Sequence, residues 1–410
     1  MRGLARISLG VVFALSLSMQ AQAGDGADGH YVVSAENLNL LPKELKPLPL
    51  ASQSGLHLVY MKEKQVEALA AAIHEVKFAC GGFVTVDKEM MRATPQDVLA
   101  QMLARPRVAE EKVSVRYRNQ VQAAMAEADQ NRYERNLKNF TSFTNRNAKK
   151  AEGIKATEWL RDQMLRIAKE NGRSDATAEF IATPKFNQSS VVIKLPGTQA
   201  GLPAVIVGGH MDTIQYKGFG EVDAANQPGV DDDASGSIGV METFQAILEA
   251  KLKFKRDMYF IFYAAEEYGL HGSKAVVAEF KRRSLQARGV MQLDMIGYKS
   301  PKDQSPIFLT TDYTTASMNT FATQLLGTYM GVKDVGTLKC GYACSDHASW
   351  YQAGYPVVFP FEAGGGNHNK LIHTLEDTIN VLDMAHAMKY VRLAVAFMVE
   401  LGEPATGAKN

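Results

Sequence analysis

Met258-Tyr259-Phe260-Ile261-Phe262-Tyr263 is an unbroken apolar run, and Ala264-Ala265-Glu266-Glu267 follows it directly. A run this short and this uniformly apolar reads as a strand buried on both faces. Ser190-Val191-Val192-Ile193 and Ala204-Val205-Ile206-Val207 precede it with the same β-rich character, and Val290 to Met295 and Pro356 to Phe361 follow. Helical patterns are interleaved, over Ala234 to Leu248 behind an Asp cluster and over Leu382 to Leu401 at the end. This alternation predicts an α/β domain of three layers, with a mixed, mostly parallel central sheet covered by helices on both faces.

In such a sheet, functional groups collect where strands end at their carboxyl side. Five segments place polar residues there. They are Val207 to Asp212 with His210, Gly229 to Gly236 with Asp231 to Asp233, Tyr263 to Glu267, Gln292-Leu293-Asp294, and Leu371-Ile372-His373-Thr374. Each has a plain structural reading alone. A single His after a strand is more often hydrogen-bonded than metal-bound, Asp231 to Asp233 suit a helix N-terminus, and adjacent glutamates can be solvated. Together, in chain order along one domain, they ask for more. Burying two His and four carboxylates side by side is costly unless something cationic sits among them.

Imidazole and carboxylate are ligand types that zinc accepts. Two zinc ions bring four positive charges against the three negative ones of Asp232, Glu267 and Asp294, and a bridging hydroxide would balance the remainder. Five protein ligands on two ions also need one bridge, which the two oxygens of a carboxylate can supply. Ions ~3.5–4 Å apart would clamp both an attacking water and a substrate oxygen. Glu266, beside Glu267, then reads as the free carboxylate that acts as general base. Neighbours on a strand point to opposite faces, but the backbone at a strand end can turn both inward. Asp212 reads either as the partner that orients the His210 imidazole or as a turn cap.

The segments Gly208 to Asp212, Pro228 to Gly236, Tyr263 to Glu267, Gln292 to Met295, Cys340 to Trp350, Pro360-Phe361-Glu362 and Ile372 to Thr378 closely resemble bacterial secreted leucyl aminopeptidases of the co-catalytic two-zinc type. The resemblance covers roughly residues 115 to 405 and implies a zinc-exopeptidase fold. It implies that His210 and Asp294 ligate one zinc, that Glu267 and His373 ligate the other, and that Asp232 bridges them. It makes Glu266 the general acid/base and Tyr342 a group that stabilises the transition state. It pairs Cys340 with Cys344 in a disulfide flanking that tyrosine, and it makes the Asp232–Asp233 peptide cis. Met295, Phe359, Phe361 and Ile372 match an apolar pocket for the N-terminal side chain. Gly364-Gly365-Gly366-Asn367-His368 stands where relatives usually carry aromatic residues, which implies a pocket wider or more polar on that side. The substrates implied are N-termini of peptides and proteins with a bulky apolar first residue.

The first 23 residues stand apart. Arg2 and Arg6 precede an apolar run from Ile7 to Met19, and Ala21-Gln22-Ala23 closes the segment. That is the layout of a secretory signal peptide cleaved before Gly24, and the run is shorter than the ~20 residues of a spanning helix. A secreted protein is expected, passing through the periplasm if the source is Gram-negative. Residues 24 to about 40 read as loose and Leu41 to Pro49 as a linker. From Gly55 the chain reads as structured, with a helix over Val66 to Val76, a strand over Gly82 to Val86 and a helix over Pro95 to Leu103. Residues 24–110 are therefore read as a small α+β unit and 111–410 as the catalytic domain, which starts with one long polar helix over Tyr117 to Asn139. The resemblance makes the small unit a propeptide that assists folding and restrains activity. A processing protease would release it near residues 105 to 118, among Arg105, Arg107, Lys112 and Arg116.

Export also permits a Cys340–Cys344 disulfide, leaving Cys80 as a small buried residue. Lys plus Arg total 45 against 44 Asp plus Glu, for a formal charge of +1. That balance gives no reason to expect nucleic acid or a membrane surface as partner, and a monomer is expected. His271 and His347 read as structural, and His368 as a residue that could line the pocket. Three rivals stay open: a one-zinc glutaminyl-cyclase-like transferase, a carboxypeptidase or amidohydrolase, and a non-catalytic binding protein on the same fold.

Overall fold

The computed structural model describes residues 27–77, 81–104, 106, 108, 111–218, 220–222 and 225–405. The signal-like segment 1–23, Cys80, Arg105 and Arg107 lie outside them. His30-Tyr31-Val32-Val33 has the β-branched and aromatic character of a strand, and β1 (Gly29–Ser34) runs inside a four-stranded antiparallel sheet. The sheet order is β2 (Pro49–Gln53), β3 (Leu56–Met61), β1, β4 (Phe83–Val86). This corrects the reading of residues 24 to about 40 as loose: Tyr31, Val32 and Val33 are buried, and the glycine-rich character ends at Gly29. Three helices accompany the sheet: α1 (Ala35–Leu38), α2 (Glu63–Lys77) and α3 (Pro95–Leu103). Thr94 caps α3 by accepting the Asp97 N–H, and Pro95 occupies its first turn.

The main domain begins with α4 (Arg118–Ala126) and α5 (Gln130–Phe140), where one long helix was expected. Asp129 makes the break. Its side chain accepts the Arg132 N–H at 2.7 Å, and its own N–H goes to Glu242 at 2.8 Å, so a cap stands where a continuous helix would need a helical residue. Then come α6 (Ala151–Glu170), β5 (Thr177–Ile181), β6 (Ser190–Leu195), β7 (Ala204–His210) and the two-residue strands β8 (Tyr216–Lys217) and β9 (Gly220–Glu221). They are followed by α7 (Gly236–Glu249), β10 (Met258–Tyr263), α8 (His271–Arg282), β11 (Ala287–Gln292), β12 (Phe308–Thr310) and α9 (Ala316–Met330). The chain closes with β13 (Gly336–Leu338), α10 (His347–Gln352), β14 (Val357–Val358), β15 (Pro360–Phe361) and α11 (Met384–Gly402).

The central sheet has the order β14-β11-β7-β10-β6-β5. Its β14, β11, β7 and β10 are parallel, β6 runs antiparallel to β10, and β5 runs antiparallel to β6. Side chains alternate across it. Phe260 and Phe262 join a core with α4, α5, α6, α7, α9 and α11. Tyr259, Ile261 and Tyr263 face a second core with α8 and α10. The three-layer α/β expectation with a mixed sheet therefore holds. Two expected strands differ in detail. The one over Val290 to Met295 ends at Gln292, because Leu293 to Met295 leave the sheet to turn. The one over Pro356 to Phe361 divides, with β14 on the large sheet and β15 on a small sheet of order β13-β12-β15.

The small unit packs on the main domain through α2. Its Val66, Leu69 and Ile73 share one apolar cluster with Tyr31 and Phe83 on one side and with Ile214, Tyr216, Ala265 and Tyr268 on the other. No helix among the described residues is long and apolar enough to cross a membrane.

Gly236, where α7 starts, ties the helix to the sheet. A Cβ added there would lie 2.4 Å from the Leu293 carbonyl oxygen and 2.4 Å from an Asp233 oxygen. Backbone cannot yield as a flexible side chain does. Gly236→Ala should therefore cost about 3 kcal/mol or more, seen as a lower midpoint in denaturant unfolding with an unchanged slope.

Candidate active site

His210 is the last residue of β7 and pairs in register with Tyr263, the last residue of β10. Beyond these ends, non-glycine residues take left-handed backbone at Ala265 (φ 50°), Met295 (φ 52°) and His373 (φ 56°). Each such residue costs ~1–2 kcal/mol, so the surroundings hold them there. The turn at Ala265 breaks strand alternation, and both Glu266 and Glu267 end up buried at 1% exposure. The Asp232–Asp233 peptide is cis.

The six residues singled out above come from five separate segments. The structure gathers His210, Asp232 and Asp294 in one group, and Asp232, Glu267 and His373 in another. Asp232 belongs to both. Its Oδ1 lies 3.0 Å from His210 Nε2, and its Oδ2 lies 3.0 Å from His373 Nε2. Glu267 Oε2 is also 3.0 Å from His373 Nε2, and Asp294 Oδ1 is 3.7 Å from His210 Nε2. Two facing triads that share one carboxylate could hold two metal ions.

Other buried groups aim these ligands by their backbone. Asp212 accepts the N–H of Glu266 at 3.0 Å and of Glu267 at 3.3 Å. Its distance to His210 Nδ1 is 3.6 Å, so its hydrogen bonds go to the glutamate segment. The same carboxylate stays within ion-pair distance of that imidazole, the place from which it would orient the ring. Asp233 accepts N–H groups from His210, Gly236 and Met295, and Asp377 accepts those of Asp231 and Asp232. Ser345 Oγ donates to Asp294 Oδ2 at 2.5 Å. Arg146, fully buried, donates to the carbonyls of Met211, Pro228 and Gly229, which joins the His210 segment to the Asp232 loop. Sequence reasoning did not give Asp233, Ser345, Asp377 or Arg146 a place in the site. The one available signal was that Asp233, Ser345 and Asp377 fall inside the quoted segments.

The electrostatics favour a cation. Burial pushes the Glu266 carboxyl well above the usual range, reinforced by Glu267, Asp346 and Asp294 against the pull of His210. Burial likewise lifts Glu267 to about 7 and Asp346 to about 8. Against its own burial, Asp232 is held well below its ordinary value by hydrogen bonds from His210 and His373. Against theirs, His373 is raised to about 10 by Glu267 and Asp232, and His210 is raised well above its usual value, chiefly by Asp294. Glu266 Oε2, Glu267 Oε1 and Asp294 Oδ1 are buried with no hydrogen-bond partner. Orphaned acceptors around imidazoles that otherwise have to carry protons are the mark of a metal site.

Beside Asp294 lies a cavity of about 440 Å³ whose walls include Met295, Phe359, Phe361, Ile372 and Tyr342. Tyr342 stands between Cys340 and Cys344, which form a disulfide. Asp312 anchors this loop by accepting the N–H groups of Cys340 and Gly341. His347 packs on Phe359, with ring centroids 4.6 Å apart. His271 packs on Phe186 at 4.9 Å. Burial pulls both imidazoles down to about 3, as befits structural residues. Two residues of α2 reach the site. The His74 ring is 4.8 Å from that of His373, and Lys77 lines the cavity.

Residues 190–398 match the model of peptidase family M28. A leucine aminopeptidase 1 from Penicillium rubens is 36% identical over 283 residues, covering 67% of this chain and 72% of that protein. The crystal structure of the LapA aminopeptidase from Legionella pneumophila superposes with a TM-score of 0.80 at 33% identity, covering 91% of this chain and 98% of that one. LapB from the same organism superposes at 0.81 with 28% identity, covering 92% and 100%.

The raised imidazoles set a sign for metal binding. Ligation needs neutral rings, and the metal-free site holds protons on His210 and His373 up to high pH. Zinc binding should therefore release protons, and affinity should fall as pH falls by about tenfold per unit for each proton displaced. Titration calorimetry of the full chain in buffers of different ionisation enthalpy measures that release.

Proposed function

The chain belongs to peptidase family M28 and is an aminopeptidase, and from that premise we propose that it works with two zinc ions, His210 and Asp294 on one, Glu267 and His373 on the other, and Asp232 between them. The observation that carries this reading is the Asp232 carboxylate, which offers one oxygen at 3.0 Å to each of the two imidazoles. When bound, zinc ions would polarise the scissile carbonyl and lower the pKa of a water beside them. The chain's own residues do the rest. Glu266, its N–H held by Asp212, accepts a proton from the attacking water at Oε2 and returns it to the leaving amine. Its raised affinity for a proton suits that shuttle. Tyr342 donates to the oxyanion as it develops. Asp294 borders the side-chain cavity and anchors the free α-amine of the substrate, which restricts cleavage to the first peptide bond. Met295, Phe359, Phe361 and Ile372 receive the first side chain.

Residues 24–110 serve in this reading as a propeptide. Through His74 and Lys77, α2 stands on the metal centre and the side-chain cavity, where a substrate would have to enter. A processing protease acting between residues 105 and 118 would open the site after export, and the released enzyme would work as a secreted monomer on peptide and protein N-termini.

Glu266→Ala should keep two zinc ions per chain by elemental analysis and lose about a hundred- to ten-thousand-fold in kcat. A variant with undiminished turnover would remove Glu266 from its role. Asp232→Ala should instead lose zinc, because the bridge is gone. One ion per wild-type chain would favour the one-zinc transferase. Cleavage of the N-terminal unit should raise turnover of leucyl-p-nitroanilide, and an unchanged rate would show that α2 does not restrain the site.

A further inference from the structure

Arg146 is a fully buried cation, and its guanidinium is spent on backbone. Nε donates to the Met211 carbonyl at 3.0 Å, Nη1 to that of Pro228 at 2.8 Å and Nη2 to that of Gly229 at 2.6 Å. Its own N–H goes to Thr213 Oγ1 at 3.0 Å, and the guanidinium carbon lies 4.7 Å from the centre of the Phe140 ring. Burial pulls the guanidinium down to about 10 against the pull of Asp377, Asp233, Asp212 and Asp232, so it keeps its charge at neutral pH. Burying a cation costs several kcal/mol. A lysine would offer one compact ammonium, whereas the rigid planar fork of arginine reaches all three carbonyls at once.

Those carbonyls belong to two ligand segments. Met211 directly follows His210, while Pro228 and Gly229 lead into the turn that carries Asp232. The junction has no slack at Gly229, whose backbone is left-handed (φ 47°). A Cβ there would lie 2.3 Å from Thr213 Cγ2 and 2.6 Å from the Asp232 carbonyl oxygen. On its other side the turn is held by a different residue. The Asp377 carboxylate accepts the N–H groups of Asp231 and Asp232, and its carbonyl accepts that of Val230 at 3.2 Å. Asp377 belongs to the segment that carries His373. Asp232 is therefore fastened to the His373 segment by Asp377 and to the His210 segment by Arg146, with Asp233 and Ser237 as further links on the His210 side. The two halves of the centre have separate fastenings.

We propose that Arg146 is a positioning residue for the His210 half of the metal centre, so that its loss weakens one zinc ion and slows turnover while the ion on Glu267 and His373 stays. The inference rests on the two-zinc reading of the same site and adds the residue that sets the spacing of one half. Arg146 and all the partners named here lie in the main domain, so the test reads alike with or without the N-terminal unit.

The test titrates zinc into the full chain against a chromophoric chelator, for wild type, Arg146→Lys and Arg146→Gln. Wild type should bind two ions. Arg146→Lys keeps the charge and loses the fork, and one ion should then bind about ten- to a hundredfold more weakly, with the other within about threefold of wild type. Arg146→Gln should weaken the same ion at least as much. Added to His210→Ala, Arg146→Lys should cost no further affinity, and added to His373→Ala it should cost the full factor. At saturating zinc, kcat of Arg146→Lys on leucyl-p-nitroanilide should fall about tenfold or more with KM within about a factor of two, on the same form of wild type and variant. A residue that only stabilises the fold would lower the melting temperature and leave both affinities and kcat at wild-type values below it. That outcome overturns the proposal, as does an equal loss at both ions. If neither variant folds, Thr213→Val decides, since it removes the acceptor of the Arg146 N–H without adding volume and should weaken one ion alone. A wild type that holds a single ion fails the two-zinc reading. The kcat of Arg146→Lys then decides this proposal by itself, a loss of about tenfold at unmoved KM supporting it and a wild-type kcat overturning it.

Discussion

Moving a carboxylate from water into a protein interior costs several kcal/mol, and this domain does so for Asp212, Asp231, Asp232, Asp233, Glu266, Glu267, Asp294, Asp346, Glu362 and Asp377 within one region. The cost is met in two ways. An outer set is hydrogen-bonded by backbone: Asp212, Asp233 and Asp377 each accept two or more N–H groups, and Glu362 accepts those of Tyr298 and Asn369. An inner set, with Glu266 Oε2, Glu267 Oε1 and Asp294 Oδ1 unsatisfied, is paired among the described residues only with the imidazoles of His210 and His373. Arg146, the buried cation nearby, is turned away from it toward three carbonyls.

That division explains why folding and metal binding share one set of residues. The backbone bonds to the outer carboxylates are what hold the ligand segments in their turns. Asp233 gathers the ends of β7, β11 and the start of α7 at one point, and the close approach of Gly236 to Leu293 leaves room for that junction. Without a metal, the inner carboxylates can share only the protons of His210 and His373. The raised pKa of both imidazoles is the signature of that makeshift.

How much of this could be read from sequence follows from what each residue does. Metal-ligand chemistry depends on side-chain type, and types survive in a sequence. His and carboxylate after apolar runs, five times in order, pointed to one strand-end site before any geometry was known. The fold was legible for a related reason, because Met258 to Tyr263 is apolar at every position and the sheet around it is covered on both faces. Asp377 was not legible. Its task is to accept N–H groups from residues 146 and 145 positions earlier, and any polar residue in a turn looks alike until the fold closes. Arg146 was hidden likewise, since the carbonyls it bonds lie 65, 82 and 83 positions later. The strand β1 was missed because Gly24 and Gly26 before it and Gly29 at its first residue suggested looseness, while its partners β3 and β4 lie far enough along the chain to leave no local mark.

The glycine run shows how an absence in a motif comparison can have a local cause. Glycines at 364–366, in a stretch where relatives usually carry aromatic residues, implied a pocket wider or more polar on that side. Yet Gly364 is occupied space, taken by Phe308, and the next two glycines serve the turn. The polarity of that side comes from what the turn delivers: an imidazole between an aromatic ring and an ammonium. Glycines of this kind act through backbone freedom, and the chemistry they enable sits on the residue just after them. In this loop that residue is His368, which lines the same cavity as Asp294.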